Sequence, residues 1–144
     1  MKFKQFILLL TTVTLLSISC SSGGSDSSIN QVATENFAKL ESSSECNDCD
    51  LQKIDFQSKS FRDVKLKDAD LSNANLSGVD FTGADLTRAV LKNVNLRNAI
   101  LDRADLTNAD LSFSDLTGIS FKDTIFTGSE LQGVTLSAGV NIQP

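Results

Sequence analysis

The chain contains no histidine, no tryptophan and no tyrosine, and only three cysteines. Without histidine it lacks the side chain that titrates nearest neutral pH and that most often ligates metals. No glycine-rich phosphate loop stands between a strand and a helix. A hydrolase triad or a metal centre therefore has no material, so neither catalysis nor a cofactor is expected. Long apolar runs are also scarce. The most apolar stretch, Phe6 to Leu10 followed by Val13, Leu15, Leu16 and Ile18, is too short and too interrupted by Thr and Ser to span a membrane comfortably.

What the chain has instead is a period of five. Leu51, Phe56, Phe61, Leu66, Leu71 and every fifth residue after them to Leu136 are Leu or Phe, eighteen pentapeptides in phase. Two residues before each centre the side chain is mostly small or β-branched, as at Ala69, Ala74, Val79 and Ala84, and Asp or Asn usually lies between. Five matches neither the 3.6 of a helix nor the 2 of a strand. If the chain turns a corner once per pentapeptide, four close a square coil of twenty residues with the centres and small residues inside. Coils then stack at about 4.8 Å and share backbone hydrogen bonds with their neighbours.

On these residues the chain resembles the pentapeptide repeat family over 90 of its 144 residues. The resemblance implies an all-β fold, a right-handed quadrilateral β-helix over residues 49–138.

Ahead of the repeats, residues 1–19 have Lys2 and Lys4, the apolar stretch and a small residue before Cys20, the pattern of a signal peptide. Leu16-Ser17-Ile18-Ser19-Cys20 resembles a bacterial lipobox with its leucine one place early, which implies lipidation of Cys20. The expected location is then the cell envelope, with the membrane as a partner through the anchor. If the source has two membranes, Ser21 after the cysteine points to the outer one. Residues 20–28 form a Ser/Gly tether. Residues 29–48 follow as helix and loop. Val32, Ala33, Phe37 and Leu40 make one apolar stripe over Ile29–Leu40, and this short α-helix is expected to cap the open end of the β-helix.

Cys46 and Cys49 are spaced as in the phrase with which many members of the family begin their coils. In an oxidising compartment they can close a disulfide. Redox chemistry needs an accessible, acidic thiolate, and two cysteines without histidine make a poor zinc site. Inside the coils, Lys59 is the clear polar violation of an inward place. Columns twenty apart predict a stiff aromatic stack at Phe61, Phe81 and Phe121 around Leu101, and charge pairs Asp68–Arg88, Arg103–Asp123 and Asp102–Lys122. Asp85 lies over Asp105 as part of a solvated ladder. Val90, Phe113, Ile100 and Ile125 are apolar where the repeat is polar, a possible contact patch for a protein partner. Residues 139–144 are too few for a second capping helix, so the last coil is expected to show an edge that a second copy could cover.

Charge separates the functional readings. Without Lys2 and Lys4 the chain carries eleven basic against eighteen acidic residues. The repeats hold ten against thirteen. Relatives that mimic DNA to regulate gyrase present a continuously acidic rod, and here Lys65, Lys67, Arg88, Lys92 and Arg103 interrupt it. The expectation is a non-catalytic binding or structural module at the envelope that does not bind nucleic acid. A topoisomerase regulator and a Cys-x-x-Cys redox protein are the alternatives.

Overall fold

The structure, a computed structural model, describes residues 27–143. Cys20 and residues 1–19, where a signal peptide is expected, lie outside them. One helix, α1 (Ser27–Ser43), precedes a ladder of fifteen parallel bridges, each joining a residue to the one twenty places on. This is the square coil that the period requires. Its four sides are identified below by one bridging residue each: Asp85, Val90, Asn95 and Ile100.

The repeat from Asp70 to Ala74 shows why the pattern needs its residues. Asp70 donates its amide back to the carbonyl of Cys49 at 2.9 Å, while Leu71 and Asn73 donate forward to Val90 at 2.8 Å and Lys92 at 2.9 Å. Ala74 closes the turn on Leu71 at 3.0 Å. Four of the five amides are thus satisfied by backbone. The fifth, on Ser72, points at the surface and donates to Asp70 Oδ1 at 2.9 Å. Asp or Asn before the centre is therefore a turn cap of the Asx type. The same bond recurs from Asp50, Asp55, Asn75, Asp80, Asp85, Asn95, Asp105, Asp110 and Asp115.

Two residues after each centre φ is positive at every repeat from Asp48 to Gly133. Asn, Asp and Gly tolerate that region best, which explains their abundance at this place.

Leu and Phe centres fill the interior, most at 0–1% exposure, with Ala between them. Each buried Leu contributes about 1.5–3 kcal/mol over an exposed one. Bridging begins at Glu45, one pentapeptide ahead of the Cys49 start read from the sequence, because Cys46 already takes an inward centre place. Lys59 does not stay inward. Its ammonium swings out to Glu41 Oε1 at 3.0 Å and lies 4.8 Å from the ring centre of Phe37. Hydroxyls also sit at inward places, which the sequence reading missed. Ser114 inserts into a turn of the coil before it, accepting from the Val94 amide at 2.9 Å and donating to the Leu91 carbonyl at 2.5 Å. Thr124 and Ser129 reach the carbonyls of Leu101 and Leu106 in the same way.

The aromatic side chains gather at the ends rather than in one column. Phe37, Phe56, Phe61 and Phe81 form a chain with centroids 5.3, 4.9 and 5.8 Å apart; Phe121 meets Phe126 at 6.1 Å instead. Phe61 and Phe81 stack in the expected column, and Leu101 separates them from Phe121.

α1 is longer than the expected 29–40 and rests on the first coil. Leu40 and Ala33 are buried, and Asn36 donates from Nδ2 to the Asp50 carbonyl at 2.9 Å. Val32, expected on the buried stripe, is 47% exposed. Ser44 ends the helix with positive φ and bonds the Leu40 carbonyl at 2.9 Å. At the far end the tail folds back, burying Ile142 against the core that Phe121, Leu131 and Leu136 leave half-covered.

Candidate interaction surface

Cys46 and Cys49 are joined by a disulfide in the first turn. Both are buried, with Cys46 Sγ 3.4 Å from the Asn36 carbonyl and Lys39 Nζ 4.0 Å from Cys49 Sγ. In this form the pair carries no thiolate, and both sulfurs lie beside α1. The described residues contain no group of three or more His, Cys, Asp or Glu placed to hold a metal.

Asp85 and Asp105 are bridge partners, as their spacing implies. Each carboxylate turns to its own repeat, receiving the amide and hydroxyl of Thr87 and of Thr107. The same bonds engage these two threonine hydroxyls. The ladder is therefore structural, and its oxygens cap amides.

Ion pairs run between coils in two ways. Arg88 grips Asp68 directly above it through Nε at 2.6 Å and Nη2 at 2.5 Å, and Lys65 pairs with Glu45. Others step diagonally, eighteen residues on: Arg62 to Asp80 at 3.0 Å, Lys92 to Asp110 at 2.7 Å and Arg97 to Asp115 at 3.1 Å. The sequence columns found Asp68–Arg88 but not Lys65–Glu45. They missed the diagonal pairs because a long side chain after the centre leans toward the bridging residue of the next coil. Arg103–Asp123 and Asp102–Lys122 do not form as ion pairs. Asp102 Oδ1 instead accepts the Ser120 hydroxyl at 2.7 Å and the Lys122 backbone amide at 2.9 Å. Those hydrogen bonds, Ser120 first, hold the Asp102 carboxyl below its usual range.

The four apolar residues singled out from sequence do not form one patch. Ile100 and Ile125 stand on two adjoining sides, 37% and 48% exposed. Val90 is half-buried on a third side, and Phe113, 60% exposed, lies at the corner that follows it.

Pentapeptide repeats match in eight copies over residues 44–83, 65–103, 84–123 and 104–138. The chain belongs to the pentapeptide repeat family. A comparison with curated proteins finds no match. Among solved structures it is similar to the pentapeptide repeat protein Rfr23 of the cyanobacterium Cyanothece 51142, with 25% identity and a TM-score of 0.62, covering 72% of this chain and 99% of that one. A pentapeptide repeat protein of the Arabidopsis thaliana thylakoid lumen is 31% identical with a TM-score of 0.57, over 59% of each chain. QnrB1, a plasmid-mediated fluoroquinolone resistance protein, is 25% identical over 62% of this chain and 58% of its own, but with a TM-score of 0.29. The family fold is the right-handed quadrilateral β-helix, and the i to i+20 ladder described above agrees with it.

Within a pentapeptide repeat protein, sides differ in how closely they keep the cap. On the Asn95 side Asp55, Asn75, Asn95 and Asp115 all keep it, and Asn75 and Asn95 add an amide ladder, each donating from Nδ2 to the residue above at 3.0 and 3.1 Å. On the Ile100 side Ser60, Ile100 and Ser120 replace it, leaving only Asp80. The Ile100 side is thus the least regular face of the rod.

Proposed function

We propose that this pentapeptide repeat protein is an exported, lipid-anchored, non-catalytic binding or structural module at the cell envelope, with α1 capping the first coil. The observation that carries the non-catalytic part is the use of the carboxylates. Ten bridging Asp and Asn side chains receive the outward amide of their own repeat, so the most abundant polar group of the surface maintains the fold. Members of the family are generally structural or binding modules, which agrees. The anchor rests on Lys2, Lys4, the apolar stretch and Cys20, followed by the Ser/Gly tether. Asn36, Leu40 and Lys59 support the capping role of α1 through their contacts with the first coil.

A protein partner would meet the sides of the rod. A second copy would meet the C-terminal end, where Phe121, Leu131 and Leu136 stay half-covered; sedimentation as a clean monomer at high concentration excludes that dimer. The envelope reading is tested by the mass and membrane fractionation of the protein from its host, beside Cys20→Ala. An acylated chain beginning at Cys20, lost from the membrane in the variant, is the expected result. A full-length soluble chain overturns the anchor and returns the topoisomerase alternative to first place.

A further inference from the structure

Two concavities follow one another along the Ile100 side. One, of about 480 Å³, lies between α1 and the first coil and includes Arg62 in its lining. The next, of about 490 Å³, starts from the same Arg62 and is bordered by Thr82, Ile100, Asp102, Arg103 and Lys122. Its origin is a missing cap. Isoleucine at 100 has no acceptor, so the amide of Asp102 loses the oxygen that Asp or Asn supplies elsewhere. Two repeats with the same defect are repaired from the coil above: Asn47 Oδ1 caps the Lys67 amide at 3.0 Å and Asp102 Oδ1 caps that of Lys122 at 2.9 Å. The amides of Arg62, Lys92 and Thr127 also find no acceptor among the described residues, but the Lys92 ammonium is held by Asp110 at 2.7 Å, so no free cation of its own stands beside that amide. Over Asp102 stands Thr82, whose hydroxyl donates to Asp80 at 2.5 Å. Among the described residues no acceptor reaches the Asp102 amide.

The charges around this donor are unequal in their engagement. Arg62 is held by Asp80, and the Asp102 carboxylate by Ser120 and the Lys122 amide. Exposed Arg103 and Lys122 form no ion pair among the described residues, and Asp123, one coil beyond Arg103, is the remaining carboxylate of the rim. An uncapped amide with two free cations and an exposed isoleucine beside it suits an oxyanion attached to an apolar neighbour. The two concavities share Arg62 and run across the coils, which fits an extended chain.

We propose that this notch binds a side-chain carboxylate of an extended, acidic polypeptide segment, which supplies from outside the oxygen missing at position 100 while an adjacent apolar residue lies on Ile100. The inference rests on the binding-module reading and is independent of the lipid anchor. The test is titration of the ¹⁵N-labelled full chain with acetyl-Leu-Asp-Leu-amide and, separately, with inorganic phosphate, followed at backbone amides. The peptide is expected to move the Asp102 amide downfield to saturation and to leave that of Lys92 in place. Ile100→Asp restores the cap internally and should weaken the peptide at least about tenfold, equivalent to ~1.4 kcal/mol. Ile100→Ala, which leaves the amide open, should still bind. No saturable movement at Asp102 up to about 10 mM peptide, ten times a weak ~1 mM dissociation constant, overturns the proposal, as does undiminished binding by Ile100→Asp. Equal movement with phosphate assigns the notch to small oxyanions and overturns the polypeptide. Failure here leaves the envelope reading to be decided by the fractionation of Cys20→Ala.

Discussion

The ring of Phe113 occupies the space that a side chain on Gly133 would need: a Cβ at 133 would lie 2.6 Å from its Cδ1. Both residues have positive φ, 62° and 67°, at the same corner of successive coils. Glycine accepts that conformation without cost, whereas a bulky aromatic there is an outlier. The exposed phenyl thus covers bare backbone in a conformation that Asn or Gly would hold more easily.

Gly133→Ala is therefore expected to destabilise the protein by about 1–2 kcal/mol from the left-handed conformation alone, more if the phenyl cannot move aside. Phe113→Asn should do the opposite, adding a fraction of ~1 kcal/mol through relief of the same strain. Urea unfolding of both variants and of the double variant checks this. Recovery of part of the Gly133→Ala loss in the double variant measures the clash, and strict additivity would show that the ring gives way freely.

The carboxylate caps predict an asymmetry between substitutions. Asp105→Asn keeps an Oδ1 for the amide and hydroxyl of Thr107 and should change stability by less than about 0.5 kcal/mol, within the range of ordinary surface changes. Asp105→Ala removes the acceptor and should cost about 0.5–1.5 kcal/mol, the net worth of a hydrogen bond. Equal effects of the two would mean that charge, and not the cap, is what the position needs.

These positions also mark what the sequence could reveal. The phase of Leu51 to Leu136 exposed the coil because inward places admit few residue types, so the pattern repeats without noise. The reason for Asp or Asn before each centre stayed hidden, since one letter serves equally for a solvated surface and for a cap. Lys59 was visible as a misfit, but its partner Glu41 lies on a helix whose placement no periodicity gives. The open amide of Asp102 was illegible for a similar reason. It requires knowing which donors the ladder leaves over, and only then does Ile100 mean more than a stray apolar residue.

Ser114→Ala should be nearly neutral despite removing a buried hydroxyl with two partners. The Val94 amide and Leu91 carbonyl that it bridges can bond each other directly, as Ala99 and Leu96 do at 3.0 Å. A loss below about 1 kcal/mol is expected, under the penalty for leaving a buried polar group unpaired. A loss of several would show that the turn cannot close over the vacated space.

Stability should fall at both extremes of pH. Hydrogen bonds from Arg88 and Thr117 hold the carboxyls of Asp68 and Asp115 below their usual range. A folded pKa below the unfolded value of ~3.9 adds stability that is present above that value and is lost as the pH falls through the folded one. The hydrogen bonds to Glu45 and Asp110 raise Lys65 and Lys92. Their contribution is present below the unfolded value of ~10.4 and disappears as the pH rises through the folded pKa. Denaturation midpoints should be flat from about pH 5 to 9, between these windows. Asp68→Asn combined with Asp115→Asn should flatten the acid limb while leaving the alkaline one in place.

Leu40 decides whether α1 stabilises the first coil or merely lies beside it. It is 1% exposed and belongs to the same core as Leu51 and Phe56. Truncating a leucine in such a place costs about 2–5 kcal/mol when the surroundings cannot collapse. Leu40→Ala is expected to fall in that range and to speed amide exchange first in the coil from Asp50 to Val64, which Asn36 and Phe37 of the helix contact. Exchange that accelerates evenly along the ladder would instead mean that helix and coils unfold as one unit. A loss below about 1 kcal/mol, the level of a well-tolerated repacking, would remove α1 from the stable core and leave the first coil held by its ladder to the second coil and by the Cys46–Cys49 turn.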